Sequence, residues 1–206
     1  MRPPRIADQA FLPFVALSAE VDETARVGEL PAQLVIRLSA TKAAAVRHTL
    51  LESGRVSGDT LVVAADTVVV LGDKILGKPA GTTEARQMLR RLRARAHQVY
   101  SAVSVTELSS GRTAIHLDAT IVWMRDYSDA EIEAYVRSGD PLDKAGAYAI
   151  QHAAFRPVAR LEGCFTGVVG LPLKALTKGL AHFGVTPPVD VAAVCRQWTG
   201  HDCCLG

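Results

Sequence analysis

The distribution of apolar and polar residues predicts strands and helices that alternate along most of the chain. Residues 60–71 form an apolar run that is interrupted by Asp66 and Thr67. The first part of this run, 61–65, is apolar at consecutive positions, which is typical of a strand that is covered on both faces. We therefore expect Asp66 at the end of a buried strand. Further strands are predicted over residues 97–108, 113–124, 158–161 and 167–170, the first two of these as a hairpin.

Helices are predicted where apolar residues recur three and four positions apart. Pro31 suits the first turn of a helix, because its ring fixes a helical backbone angle. Ser128 and Glu131 have the spacing of a capping box, in which each side chain bonds the other residue's backbone N–H. The predicted helices cover residues 32–51, begin at 81–84, run from 128 to 138, and run from 172 to 184.

Strands and helices that alternate around a central hairpin predict an α/β fold with a mixed sheet rather than an all-parallel one. The 206 residues are enough for one such domain, which we place at residues 1–186, followed by a weakly specified tail over 187–206. Apolar residues make up 49% of the chain and charged residues 21%, which excludes disorder over most of its length. The net charge of +2 is too small to indicate nucleic acid or a membrane surface as a partner.

Targeting signals and cysteine positions add little to this picture. No apolar run approaches the ~18 residues of a transmembrane helix, and the N-terminal residues lack the apolar core of a secretion signal, so we expect a cytoplasmic protein. The C-terminal cysteines either hold a metal ion or are reduced thiols. The sequence does not decide between the two, because the paired spacing that indicates a zinc site is missing. The residues concerned are Cys195, His201, Cys203 and Cys204.

Three short segments place charge or glycine where a core pattern does not need them. The first contains Asp66, whose carboxylate would cost on the order of several kcal/mol to bury without a partner. Either a metal ion, a lysine or a substrate water compensates it, or it bonds backbone amides at a local bend. The second segment is Gly77-Lys78-Pro79, a rigid turn that suits Lys78 to bind phosphate, unless this lysine is simply solvated.

The third segment, residues 139–151, is rich in small residues that let a ligand approach the backbone. Asp143, Lys144 and Gln151 add charge and hydrogen-bonding groups to it. The segment therefore has the composition of a nucleotide pocket, with a lysine for phosphate and an amide for the edge of a base. The alternative is a loop whose Asp143–Lys144 pair is exposed and contributes little energy.

Taken in order, these segments resemble the Maf-type nucleotide pyrophosphatases. The resemblance extends from about Phe14 to Gly184, and its specificity lies in the order and spacing of many motifs that are individually weak. The motifs are Val21-Asp22-Glu23, residues 38–43 with Lys42, Ala64-Ala65-Asp66-Thr67-Val68-Val69, Ile75-Leu76-Gly77-Lys78-Pro79, Glu84-Ala85, Met88-Leu89, His97-Gln98-Val99, the 139–151 segment and Val168-Val169-Gly170-Leu171-Pro172-Leu173.

The resemblance implies an elongated α/β structure with a mixed sheet and a cleft between two lobes. It also implies hydrolysis of a nucleoside triphosphate to the monophosphate and pyrophosphate, with a divalent cation, Mg²⁺ or Mn²⁺, as cofactor. Asp66 resembles the general base of the family, which activates the attacking water. Glu23, Lys42 and Lys78 resemble the groups around the triphosphate and the metal.

Substrate preference is implied by two residue pairs. Thr67 and Gln151 resemble the residues that read the base. The pairs Asp66-Thr67 and Ile150-Gln151 are similar to the branch that acts on dTTP and UTP rather than to the branch that acts on 7-methyl-GTP. Asp143 and Lys144 complete the expected substrate-binding set.

The sequence departs from the family pattern in three places. The family opens with a strand and a Ser-Pro-Arg-Arg-like turn, whereas here only Arg2 falls on an arginine position, so either the start is assigned too late or the chain is a degraded homologue. Ser101-Ala102 stands where Thr-Gly is usual. His152 follows Gln151 where glycine is usual, and it either alters base preference or points outward.

A cluster of arginines on the helix that begins at 81–84 suggests either a nucleic-acid surface or an ordinary polar helix face. No aromatic residues interleave it, which favours the second interpretation. The cluster consists of Arg86, Arg90, Arg91, Arg93 and Arg95.

Three hypotheses about function follow. The first is an active pyrophosphatase whose partner is its nucleoside triphosphate substrate, with a homodimer left open. The second is a catalytically weak nucleotide-binding regulator of cell division, which the incomplete N-terminal motif motivates. An α/β domain with an unrelated ligand is the third and least specific alternative.

Overall fold

The computed structural model describes residues 12–54 and 59–201. Within these residues the chain forms one five-stranded sheet and six α-helices. The strands are β1 (Leu61–Leu71), β2 (Lys74–Leu76), β3 (Ala96–Glu107), β4 (Thr113–Met124) and β5 (Val158–Glu162). The helices are α1 (Pro31–Ser53), α2 (Thr82–Leu92), α3 (Asp129–Arg137), α4 (Phe165–Val169), α5 (Leu173–His182) and α6 (Val191–Thr199), and two 3₁₀ turns, Asp140–Asp143 and Ala145–Ala147, follow α3.

The sheet has the strand order β2-β1-β3-β4-β5, and every pairing among the described residues is antiparallel. The predicted α/β class with flanking helices is confirmed. The parallel pairings of a mixed sheet are not found in residues 12–54 and 59–201. The reason lies in the connections. Short turns join β1 to β2 and β3 to β4. Strand β3 starts beside the end of β1, and β5 starts beside the end of β4, so each runs antiparallel to that strand.

Strand β1 is continuous through the polar pair in its middle. Asp66 pairs with Ala102 and Thr67 with Ser101 in an unbroken register. The expectation that Asp66 ends a strand is therefore wrong, because the backbone ladder does not depend on side-chain polarity. Since successive side chains of a strand point to opposite faces, Asp66 and Thr67 lie on different sides of the sheet.

The helices predicted from periodicity are confirmed. The Ser128 side chain accepts the Glu131 N–H at the start of α3, while the Glu131 carboxylate accepts the Ser128 N–H, as the capping box predicts. The strand predicted over 167–170 is wrong, since these residues belong to α4 and its end. Its four apolar and glycine residues are too few to separate the two periods, and the Val168 N–H bonds the Cys164 carbonyl as in a helix.

The described part of the predicted tail contains a helix. Asp190 accepts the Ala193 N–H and caps α6, whose Val191 and Cys195 pack on Leu173. The domain boundary at residue 186 stays a prediction. None of the helices in residues 12–54 and 59–201 combines the length and apolar character that crossing a membrane requires.

The two faces of the sheet are covered differently. Helix α1 covers one face, where Leu34, Val35 and Leu38 pack against Val68 and Val70. Each of these five side chains is buried, so α1 is fixed firmly over β1 and β3. Any residue that α1 directs towards Asp66 is therefore held by a rigid element.

The opposite face carries two separate apolar clusters. One surrounds Val69 and Val99 under α2 and α3, and the other surrounds Val103 and Val105 under α5. These clusters form two lobes, and the polar pair Thr67–Ser101 lies on the sheet between them. The polar side chains at positions 67 and 101 thus separate the two packed regions, and α4 lies beside this junction, where Ser101 bonds Gly167.

Candidate active site

A cleft of about 310 Å³ opens at the edge of β1. Strand β2 pairs only with residues 69–71 of β1, so within the described part of the chain the preceding stretch of β1 has a free outer edge. The cleft wraps around this edge and is reached by side chains from both faces of the sheet. All eight residues predicted as site residues line it: Glu23, Lys42, Asp66, Thr67, Lys78, Asp143, Lys144 and Gln151.

The charged side of the cleft is built around one ammonium group. Lys42 of α1 places its Nζ 2.6 Å from Asp66 Oδ1 and 2.6 Å from Glu23 Oε1. The Asp66 side chain is 9% exposed and that of Glu23 is 51% exposed, so the lysine joins a buried carboxylate to an open one. The partner that compensates the buried charge of Asp66 is thus Lys42. The alternative, in which Asp66 bonds backbone amides at a bend, does not apply, because the strand is continuous there.

The protonation balance of this cluster favours proton transfer. Burial raises the pKa of Asp66 above its ordinary value, against the neighbouring Lys42 ammonium, which lowers it. Burial disfavours the charged form of Lys42, but its hydrogen bonds to Asp66 and Glu23 prevail and raise its pKa. The hydrogen bond from Lys42 lowers the pKa of Glu23. A carboxylate whose pKa is shifted towards neutrality beside a fixed cation is suited to accept a proton.

Lys78 supplies a second positive charge to the cleft. Burial raises the pKa of Asp66, and hydrogen bonds from Lys42 and Lys144 lower those of Glu23 and Asp143; the charge of Lys78 is a smaller influence that acts to lower all three. No carboxylate of the described residues lies within salt-bridge distance of the Lys78 ammonium group. The Gly77 carbonyl accepts the Gly146 N–H at 3.0 Å, which ties the turn of Lys78 to the 139–151 loop. An ammonium group held this way is available to an anionic ligand.

The 139–151 loop is held by a compact polar network. Lys144 Nζ lies 2.6 Å from Asp143 Oδ1 and 3.1 Å from Asp140 Oδ1. Tyr135 of α3 donates its hydroxyl to Asp140 Oδ2 at 2.6 Å and accepts the Ala149 N–H at 3.0 Å. Both ends of the loop are therefore fixed to one helix.

Gly146 lets this loop approach the sheet. Its φ of 70° lies in the left-handed region, and a Cβ atom there would come within 3.1 Å of Val69 Cγ1. The glycine enrichment noted in the sequence thus reflects close packing on β1 at this position.

The other side of the cleft is uncharged. Thr67 Oγ1 lies 2.7 Å from Ser101 Oγ, and Ser101 donates to the Gly167 carbonyl of α4 at 2.7 Å. Val168, Val169 and Gly170 continue this wall. The cleft is therefore charged on the α1 side and apolar with hydrogen-bonding groups on the α4 side.

Sequence reasoning missed some residues of the site. Tyr148 lines the cleft and its hydroxyl lies 2.7 Å from His97 Nε2, while Ser101 supports Thr67 from behind. Both contacts join residues that are far apart in sequence, so no local pattern indicates them. The motif that includes Val168 was noted for the resemblance, but its assignment as a strand gave no reason to place it in the cleft.

Two histidines for which the sequence leaves alternative roles open, His152 and His201, have defined contacts in the structure. His152 Nδ1 accepts the Phe155 N–H at 2.9 Å, and its ring packs on Tyr135 with centroids 4.7 Å apart. It does not line the cleft, and the described contacts of its side chain are those with Tyr135 and Phe155. His201 stacks on Phe165 with ring centroids 5.0 Å apart.

The arginine face of α2 is neutralised by helix α3. Arg86 forms an ion pair with Glu133, and Arg90 and Arg93 both pair with Asp129. These contacts make Arg86, Arg90 and Arg93 part of an ordinary polar interface between helices.

Some sequence predictions fall outside the described residues. Arg2 and the N-terminal turn belong to residues 1–11, and Cys203 and Cys204 belong to residues 202–206. In the described part of the chain, no group of three or more His, Cys, Asp or Glu side chains is placed to hold a metal ion.

Comparison with known proteins finds similar sequences over most of the chain. A family model described as Maf-like protein matches residues 5–183. The dTTP/UTP pyrophosphatase of Pelotomaculum thermopropionicum is 44% identical over 176 residues, which are 85% of this chain and 88% of the relative. The protein of the same name from Salinibacter ruber is 45% identical over 176 residues, 85% of this chain and 83% of the relative. That of Nitrosomonas europaea is 44% identical over 168 residues, 82% and 79% respectively.

Proposed function

The chain belongs to the Maf family, and on that premise we propose that it is a nucleotide pyrophosphatase that hydrolyses dTTP and UTP to the monophosphate and pyrophosphate. The observation that carries the proposal is the convergence of a buried carboxylate, two lysines and a polar wall in one cleft. We also propose that the protein acts in the cytoplasm, as expected from the sequence.

Asp66 is the proposed general base. Its Oδ1 accepts from Lys42, which leaves Oδ2 without a hydrogen-bond partner among the described residues. That oxygen would take a proton from the water that attacks the α-phosphorus, while the bond from this phosphorus to the bridging oxygen breaks and pyrophosphate leaves. Lys42 orients the carboxylate and opposes the effect of burial, which raises the pKa of Asp66.

Lys78 is the proposed phosphate ligand. Its ammonium group faces the cleft without a carboxylate within salt-bridge distance in the described chain, so its charge is available to phosphate oxygens. Asp140 and Asp143 hold Lys144 at the rim of the cleft, where its ammonium group would add to the positive charge of Lys78. Stabilising charge that develops on the leaving pyrophosphate is the main electrostatic task in such a reaction.

The base is proposed to lie on the α4 side of the cleft. Thr67 presents a hydroxyl there, and Gln151 presents an amide with both a donor and an acceptor. Tyr148, Val168 and Val169 supply apolar surface for a planar ring.

A divalent cation, Mg²⁺ or Mn²⁺, fits the donors on the charged side. Two carboxylates lie close together there, since an oxygen of Glu23 and an oxygen of Asp66 each lie 2.6 Å from the ammonium nitrogen of Lys42. Magnesium is usually held by one or two carboxylates together with substrate phosphates rather than by a complete protein cage. Glu23, which is half exposed, is the proposed protein ligand. When bound, the cation would neutralise negative charge on the phosphates.

The proposal is tested by incubating the protein with dTTP, UTP and other nucleoside triphosphates in the presence of Mg²⁺ or Mn²⁺ and measuring pyrophosphate. We expect release from dTTP and UTP, and a loss of at least about 100-fold in Asp66→Asn, the scale of general-base contributions. Asp73→Asn, in the exposed β1–β2 turn, is the matched control and should retain activity.

No release above that of Asp66→Asn would refute the enzyme. Tight nucleotide binding without release would then favour the regulator of cell division. Failure to bind any triphosphate would favour an unrelated ligand.

A further inference from the structure

A buried serine stands behind the threonine of the base side. Ser101 pairs with Thr67 across β1 and β3, and its side chain lies between Thr67 Oγ1 and the Gly167 carbonyl, 2.7 Å from each. Ser101 is only 1% exposed and does not line the cleft. It can therefore affect a ligand only through Thr67 or through α4.

The chain of hydrogen bonds has a fixed direction. A hydroxyl group carries one proton and two lone pairs. The Gly167 carbonyl can only accept, so Ser101 must use its one proton on this bond. Ser101 must then accept from Thr67, whose own proton is directed into the protein. The lone pairs of Thr67 Oγ1 are what remains for the cleft.

The carbonyl that fixes this direction is itself held in place. Gly167 lies so close to the sheet that a Cβ atom there would come within 2.7 Å of Asp118 Oδ2. The same carbonyl accepts the Gly170 N–H at 3.0 Å at the end of α4. The Ser101–Gly167 bond thus couples the sheet to the wall of the cleft that Val168 and Val169 form.

An acceptor at this position distinguishes the pyrimidine bases. Uracil and thymine carry an N–H donor at ring position 3, whereas cytosine carries an acceptor at that position. The proposal places Thr67 opposite ring position 3 and not opposite position 4, where cytosine carries an amino group that donates. At position 3, a threonine that can only accept would bond the N–H of uracil and thymine, whereas its lone pairs would oppose the lone pair of cytosine. A buried polar group without a partner costs more than a hydrogen bond contributes.

From this geometry we propose that Ser101 is a positioning residue that fixes Thr67 as an acceptor and so selects uracil and thymine against cytosine. The inference rests on the proposed function for the location of the base. It adds a residue outside the cleft that sets the direction of a hydrogen bond inside it.

The purely structural alternative is that Ser101 only attaches α4 to the sheet. In that case its removal would lower stability and affect all nucleotides equally. The selectivity between bases separates the two explanations, because it changes only if the direction of the Thr67 hydroxyl matters.

The experiment compares binding of UMP and CMP by titration calorimetry, alongside kcat/KM for UTP and CTP. In Ser101→Ala the Thr67 hydroxyl can rotate and donate, so the preference for UMP over CMP should fall by about tenfold, the scale of one hydrogen bond. Ser101→Thr keeps a hydroxyl and should retain the preference.

Ser104→Ala is the matched control. Ser104 lies on the same strand, is fully buried and bonds Ser39 Oγ at 2.8 Å on the opposite face of the sheet. Its loss should lower stability without changing the UMP to CMP ratio.

An unchanged ratio in Ser101→Ala, or wild-type protein that does not distinguish UMP from CMP, would overturn the inference. Because binding of the monophosphates needs no turnover, the inference can hold even if UTP hydrolysis fails. It can equally fail in an active enzyme, so the two proposals are tested separately.

Discussion

At the residue scale, Asp66 holds a charge that its surroundings compensate only in part. Lys42 stabilises the carboxylate, but burial prevails and raises its pKa. The same lysine also has Glu23 as a partner, so it would not be left unpaired without Asp66. The residue that suits catalysis best is therefore one that the fold does not need in its ionised form.

We expect Asp66→Asn to be at least as stable as wild type at pH 7, because a neutral amide removes the cost of burying the charge. Since the folded pKa lies above the unfolded value of 3.8, the stability that Asp66 contributes is present below that value and is lost as the pH rises through the folded pKa. The advantage of the variant should therefore grow from pH 3.8 upward and then level off. Urea unfolding at several pH values measures it, and a loss of more than about 1 kcal/mol at pH 7 would contradict it.

Individual site residues differ in how far the sequence can predict them. Asp66 stands out because a carboxylate interrupts an apolar strand, and Lys78 because it lies in a rigid turn. Lys42 has no such local signal; it was found only through the resemblance, and its contact with Asp66 depends on how α1 crosses the sheet. Ser101 looks like any polar residue in a strand until Gly167 is placed against it.

At the element scale, the segment that carries Glu23 is held by side chains rather than by regular structure. Residues 12–30 contain no helix or strand. Arg37 of α1 forms two hydrogen bonds to Glu29, at 2.6 and 2.7 Å, and a third to the Thr24 carbonyl at 3.0 Å. The last of these bonds lies next to Glu23, so one arginine fixes the approach of this segment to the cleft.

We expect Arg37→Met to lower kcat/KM for UTP by about tenfold, since the lost hydrogen bonds let Glu23 move away from Lys42. Arg47→Met is the matched control, because Arg47 also lies on α1 and bonds the carbonyls of Leu108 and Ser109 at the β3–β4 turn instead. Steady-state kinetics on both variants checks this. Equal losses in the two variants would indicate a general effect on α1 and contradict the assignment.

Elements with strong local signals were predicted well. The capping box of α3 and Pro31 at the start of α1 are interactions between neighbours in sequence, which is why they can be recognised without a structure. Helix α4 was not, because its short apolar run has no distinguishing period and its conformation depends on contact with β4 through Gly167. The antiparallel pairing of β1 with β3 likewise follows from α2, whose return path is not encoded in either strand.

At the scale of the whole molecule, the cleft exists because one face of the sheet is packed in two separate places. The cluster under α2 and α3 reaches the cleft through Tyr148, whose hydroxyl bonds buried His97. His97 Nδ1 has no hydrogen-bond partner among the described residues. Burial lowers the pKa of His97 to about 4, so this imidazole is neutral in the folded protein at physiological pH.

This histidine should govern part of the acid sensitivity of the fold. Its pKa is 6.5 when unfolded and about 4 when folded, so its contribution to stability is complete above pH 6.5 and is lost as the pH falls towards 4. The displacement corresponds to about 3 kcal/mol. Lowering the pH across this window should therefore reduce the free energy of unfolding of the wild type by an amount of that order.

His97→Gln should be less stable than wild type at pH 7, because it loses packing against Tyr148, but its free energy of unfolding should change much less between pH 6.5 and 4. His48→Gln is the control, since His48 lies exposed on α1 and its loss should leave the slope as in the wild type. Urea unfolding at half-unit pH intervals gives both slopes. Parallel curves for wild type and His97→Gln would show that the imidazole takes up its proton in the folded state as readily as in the unfolded one. The junction of the lobe with the cleft would then be open to water, contrary to the buried position of His97 beneath Tyr148.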